Sequence, residues 1–99
     1  VILTIMQELE LWYFYSDDCN ICNALWPKVQ ALLSTEYPNI NLKKLKASDH
    51  LELAGQHRML SVPGILFFVE GCEHFRANGL VRMEELRQKL NPAYEAYFG

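Results

Sequence analysis

The 99-residue chain is poor in several features that mark whole classes of protein. It carries only nine Lys and Arg, scattered along its length, against twelve Asp and Glu, for a net charge of −3. Phosphate backbones are gripped by clustered positive charge, so nucleic acid is not expected as the main partner. There are just three cysteines, Cys19, Cys22 and Cys72, and an odd, low count does not read as a secreted disulfide framework. No apolar run is long enough to span a bilayer, so no membrane role is expected. No complete signal peptide is visible, and the expected location is cytoplasmic. The chain opens on Val1 rather than Met, and V-I-L-T-I-M is compatible with the tail of a longer segment. Repeats, linkers and low-complexity stretches are also missing. What remains is ordinary globular composition, with 51% hydrophobic and 21% charged residues. This length suits one small domain and is too short for two, so residues 1–99 are expected to form a single domain.

The hydrophobic pattern gives the elements. E-L-W-Y-F-Y, Glu10 to Tyr15, is short, aromatic and bounded by S-D-D, which reads as a buried strand. Residues 1–8 before it fit either a helix remnant or an edge strand. Ser16, Asp17 and Asp18 are each suited to cap a helix. Behind them Ile21, Leu25, Val29, Leu32 and Leu33 share one helical face, predicting a helix from about Cys19 to Thr35. Pro27 falls inside it, removes one backbone donor and should bend it. Ile40 to Leu45 reads as a second strand, and Ser48 or Asp49 should cap a short helix. Ile65 to Val69 is nearly all apolar, as a strand covered on both faces must be. Glu70-Gly71 signals a turn into a fourth strand, C-E-H-F-R-A, closed by Asn78-Gly79. Val81 to Leu90 is an amphipathic helix that Asn91-Pro92 should stop. The order is β-α-β-α-β-β-α: an α/β fold with a parallel crossover first and an antiparallel hairpin last.

Chemistry concentrates in Y-S-D-D-C-N-I-C-N, residues 15–23. The pair Cys19 and Cys22 follows a strand and opens a helix. At a helix start the backbone N–H groups lack partners and the dipole is positive, and both stabilise a thiolate. Cys22, one turn further in, is near enough to form a disulfide and more buried. That places an exposed attacking thiol beside a shielded resolving one. Three other readings compete. A structural zinc site needs four ligands, for which only Cys72, His50, His57 and His74 remain. Two chains can share a metal or cluster through four cysteines. Or both cysteines simply lie on a helix face.

The residues together resemble the thioredoxin family. W-Y-F-Y-S-D-D-C-N-I-C is similar to that family's strand and active-site motif. Pro27 matches its helix-kinking proline, and S-V-P-G-I-L-F-F-V-E-G matches its segment with a cis-proline ahead of the central strand. Gly71 falls at the hairpin turn and Gly79 ahead of the last helix. Pro63 lies 41 residues beyond Cys22, the separation the family shows. The likeness runs from about Leu9 to Leu90, with the N-terminal strand and helix of a full-length thioredoxin shortened or missing. It implies a thioredoxin-like fold: a central mixed sheet of about four strands flanked by helices. It also implies that Cys19 and Cys22 are catalytic, and that Val62, beside a cis Pro63, offers its backbone edge to a substrate peptide. No cofactor or metal is implied. Partners would be protein disulfides and a thioredoxin reductase or other dithiol donor.

The pattern also departs from the family. Asp18 stands where a tryptophan usually flanks the first cysteine, and no proline lies between the cysteines. Tyr13 occupies the place of the buried aspartate that assists proton transfer to the second cysteine, and Lys44 aligns with the lysine that often partners it. Asp17 and Asp18 should oppose a Cys19 thiolate and so favour a firmly held disulfide, as in a reductant. Tyr13, Asp17, Asp18 and Pro27 are therefore the expected tuning residues. The function expected is a thiol–disulfide oxidoreductase. The rival is a binding or adaptor module of the same fold with a vestigial or regulatory cysteine pair.

Overall fold

A computed structural model describes residues 8–99. The expectation for the opening residues, helix remnant or edge strand, concerns positions outside that range save Glu8. The chain runs β1 (Leu9–Tyr15), α1 (Asn20–Glu36), β2 (Asn41–Lys46), a 3-10 turn (Ala47–Asp49), α2 (Leu51–Gln56), β3 (Gly64–Val69), β4 (Cys72–Asn78) and α3 (Met83–Phe98). The four strands form one sheet in the order β2-β1-β3-β4. β1 and β2 are parallel, while β1–β3 and β3–β4 are antiparallel. The α/β order and mixed sheet are those read from the sequence.

Strand periodicity explains how the sheet is covered. Successive side chains on a strand point to opposite faces. On β1, Leu9, Leu11 and Tyr13 join the larger core with Leu25, Val29 and Leu33 of α1 and with Leu86 and Leu90 of α3. Phe14 points the other way and packs with Ala54 of α2, Met59, Leu66 and Phe68, with Trp12 against them. β3 divides likewise, Ile65 and Phe67 on one side and Leu66 and Phe68 on the other. A central strand buried on both faces has no position for a polar residue, hence its unbroken apolar run. The β3–β4 hairpin turns on Glu70 and Gly71, both at positive φ (51° and 82°). That is the two-residue turn whose twist matches its strands.

Three local expectations are corrected. Neither Ser16, Asp17 nor Asp18 caps α1: the cap is Cys19 itself, whose sulfur accepts the Cys22 N–H. Neither Ser48 nor Asp49 caps α2, because both lie in the 3-10 turn. His50 takes the cap position with no side-chain bond, and its carbonyl accepts the Ala54 N–H at 2.8 Å. Asn91-Pro92 does not stop α3, which continues to Phe98. A proline inside a helix costs about 3 kcal/mol, and tertiary contacts beyond it hold the last turns. Ala93 is buried, the Tyr94 ring meets Tyr37 edge-on at 5.1 Å, and the Tyr94 hydroxyl accepts the Asn39 N–H at 3.2 Å. The Tyr37 hydroxyl also donates to the Asn91 side chain.

Candidate active site around the Cys19–Cys22 pair

β1 ends at Tyr15, and the four residues that follow turn the chain into α1. Cys19 has extended backbone angles (φ −97°, ψ 105°), as a helix cap requires. The two cysteines are joined in a disulfide, with Cα atoms 5.2 Å apart. The Cys22 N–H donates to Cys19 Sγ at 3.1 Å, and the Asn23 N–H to the Cys19 carbonyl at 3.1 Å. The first sulfur therefore sits where a serine or aspartate oxygen usually sits, facing an amide that would support negative charge upon it. Cys19 is partly exposed, whereas Cys22 is 1% exposed. Of the two sulfur-bearing residues, Cys19 is thus the accessible one and Cys22 the shielded one.

The two acidic residues do not act alike. Asp17 pairs with Lys46 Nζ at 2.5 Å, and this partner holds the Lys46 ammonium above its ordinary pKa. Asp18 instead accepts the Ser16 hydroxyl at 3.0 Å. Much of Asp17's field in front of Cys19 is thus matched by Lys46, a residue the sequence reading did not single out. The lysine lies 29 positions away in sequence and reaches Asp17 only because β2 runs parallel beside β1.

Beneath the pair, Tyr13 is fully buried and donates its hydroxyl to the Cys22 carbonyl at 2.7 Å. Burial pushes its pKa up to about 12, so the phenol stays protonated in the physiological range. Its ring lies 5.2 Å from Trp26. Lys44, opposite Tyr13 in the β1–β2 register, places Nζ 4.7 Å from both the Tyr15 and the Trp26 rings. Pro27 lies within α1, which passes through it unbroken.

The Val62–Pro63 peptide bond is cis, and Pro63 is buried. The Gly79 N–H donates to the Pro63 carbonyl at 2.8 Å, tying this loop to the segment ahead of α3. Among the described residues, no backbone hydrogen bond outside regular elements engages Val62. A cleft of about 490 Å³ lies alongside, lined by Ser16, Ala47, Leu51, Leu60 and Val62 among others. Ile21, Leu60 and Leu80 are exposed, Leu60 by 87%. Ile21 stands between the cysteines, Leu60 leads into Val62, and Leu80 follows Gly79. The sequence reading missed these three exposed apolar side chains. Their one signal was large apolar side chains next to the motif residues.

The remaining metal-ligand candidates are not brought together. Among the described residues, no group of three or more His, Cys, Asp and Glu could hold a metal ion. His57 packs edge-on against Trp12 and Phe68. His74 meets Phe67. Cys72 is an exposed free thiol paired with Val69, at the end of β3 remote from Pro63.

Comparison with known proteins places this arrangement. The thioredoxin family model matches residues 3–92. A thioredoxin-like protein YdfQ of Bacillus subtilis is 36% identical over 87 residues, spanning 88% of this chain and 77% of that protein. A thioredoxin of Chlamydia caviae is 29% identical over 87 residues, 88% of this chain and 84% of its own. Among solved structures, Fasciola hepatica thioredoxin superposes with a TM-score of 0.77 at 25% identity, covering 88% of this chain and 82% of that one. Thioredoxin 1 of Thermosipho africanus superposes at 0.79 with 19% identity, covering 91% and 99%, which speaks for the fold alone.

Proposed function

The chain belongs to the thioredoxin family, and from that premise we propose that it is a thiol–disulfide oxidoreductase that reduces protein disulfides through Cys19 and Cys22. The observation that carries the reading is the asymmetry of the pair. One sulfur is accessible and held at a helix cap by a backbone N–H, and the other is buried one turn behind it. A vestigial pair has no need of that arrangement.

The reaction runs in two exchanges. The Cys19 thiolate attacks one sulfur of a substrate disulfide. The substrate S–S bond breaks, and the second substrate sulfur leaves as a thiolate and takes a proton. Cys22 then loses its proton, and its thiolate attacks Cys19 Sγ. The mixed disulfide breaks, the first substrate sulfur leaves and is protonated, and the Cys19–Cys22 bond closes. Two electrons pass from the dithiol to the substrate. A reductase or another dithiol must return them, and such a cycle suits a reducing compartment such as the cytoplasm. The unengaged backbone of Val62 and the exposed side chains of Ile21 and Leu60, which neighbour the cysteines and Val62 in the chain, support docking of an extended substrate segment beside Cys19. In this reading Asp17 and Asp18 tune the poise of the pair, with Lys46 limiting the share of Asp17.

The test is reduction of insulin disulfides with dithiothreitol as donor. The native protein should accelerate it well above background, and Cys19→Ser should abolish the acceleration. Absence of any acceleration by the native protein rejects this function in favour of an adaptor of the same fold.

A further inference from the structure

The side chain that the sheet presents to the buried cysteine is a neutral phenol. Tyr13 donates to the Cys22 carbonyl at 2.7 Å from a fully buried position. Its ring is braced by Trp26, which lies four residues beyond Cys22 and so on the same face of α1. Trp26 in turn carries the Lys44 ammonium on its face, and Tyr15 shares it. Among the described residues, Lys44 makes no ion pair with a carboxylate. The set Tyr13, Trp26, Lys44 and Tyr15 therefore fixes a donor at the Cys22 carbonyl and a cation against the Trp26 ring, with no carboxylate among them.

That turn has particular need of an outside tether. Pro27 has no N–H, so the Asn23 carbonyl, four residues earlier and next to Cys22, lacks its helical donor. The helix holds its own backbone least well immediately after Cys22. When the disulfide opens, the covalent link across the turn is lost as well. The Tyr13 bond from the sheet then supplements the helix's own bonds in keeping the Cys22 backbone in place.

We propose that Tyr13 is a positioning residue for Cys22: its hydroxyl pins the Cys22 carbonyl to the sheet and keeps the second sulfur within reach of the first when the bond between them is broken. A second thiol held in place has a high effective concentration toward Cys19. Ring closure is then favoured over a lingering mixed disulfide, and the pair becomes more reducing. The inference rests on the redox reading of the pair.

The experiment equilibrates native protein and Tyr13→Phe with glutathione buffers and measures the fraction with the Cys19–Cys22 disulfide. Phenylalanine keeps the ring against Trp26 and removes only the hydroxyl. The equilibrium constant for forming the protein disulfide should fall about fivefold, the factor expected for one hydrogen bond of ordinary strength. That is about 20 mV toward a less negative potential. A merely structural tyrosine would lower the unfolding temperature of both redox forms equally and leave the glutathione equilibrium unmoved, which overturns the proposal. If the native protein forms no reversible disulfide, the redox reading falls and this inference with it. A second measurement needs no variant. The carbonyl carbon shift of Cys22 in native protein should keep its hydrogen-bonded value on reduction. The Trp26 N–H is the second, helical donor to this carbonyl, so movement to the value of a carbonyl with the helical bond alone overturns the tether.

Discussion

Gly79 offers a test of how the loop beside the cysteines is held. Its φ is +90°, and its N–H donates to the Pro63 carbonyl at 2.8 Å. A Cβ placed on this residue would meet nothing within 4 Å. Replacement by alanine therefore adds no clash, and its effect is the conformational cost alone. For an L-residue held at such φ that cost is about 1–2 kcal/mol. A chain of this size loses roughly 4–8 °C of unfolding temperature per kcal/mol. Gly79→Ala should thus melt about 5–15 °C below the native protein by circular dichroism. The chain is short enough for chemical synthesis, and D-alanine at 79, for which positive φ is the ordinary range, should restore most of the lost stability. An L-alanine variant that melts with the native protein would refute the reasoning. So would a D-alanine variant no better than the L form, since the loss would then not come from φ.

Other predictions concern the exposed Leu60, the core and one ion pair. Leu60→Gln should raise the KM for a protein disulfide severalfold and leave the unfolding temperature within about a degree, since this side chain is 87% exposed; a loss of stability instead would make Leu60 structural. Phe67→Ala should cost about 3–5 kcal/mol by urea denaturation, because its ring is fully buried in the central strand, and a smaller loss would mean the sheet can collapse around the gap. Arg87 grips Glu36 at 2.9 Å and, chiefly through that hydrogen bond, holds its carboxyl below the usual 4.5. A carboxyl with a depressed folded pKa adds stability above its unfolded pKa, and the gain is lost as pH falls through the folded value. Arg87→Met should therefore lower the urea midpoint at pH 7, and the difference should vanish once pH is below both values. A difference that persists in acid would assign Arg87 a packing role instead.

Local signals along the chain carried the order of elements and the place of the cysteine pair at the start of a helix. A C-x-x-C pair straight after an aromatic strand, a proline eight residues into the helix, and Val62-Pro63 ahead of an unbroken apolar strand are local signals. Each depends on few neighbours: strand period, turn glycines and the dipole of a helix start. Residues whose roles depend on partners far along the chain were not legible. Cys19 displaced three better capping residues because the turn out of β1 delivers its sulfur, rather than an oxygen, to the Cys22 N–H. Pro92 failed to end α3 because Tyr37, 55 residues before it, packs against the turn beyond. Lys46 reached Asp17, and Lys44 reached Trp26, only through the parallel register of β2 on β1. Covalent spacing carried the first set of features, and only the closing of the sheet, which brings distant side chains within a few ångströms, decided the second.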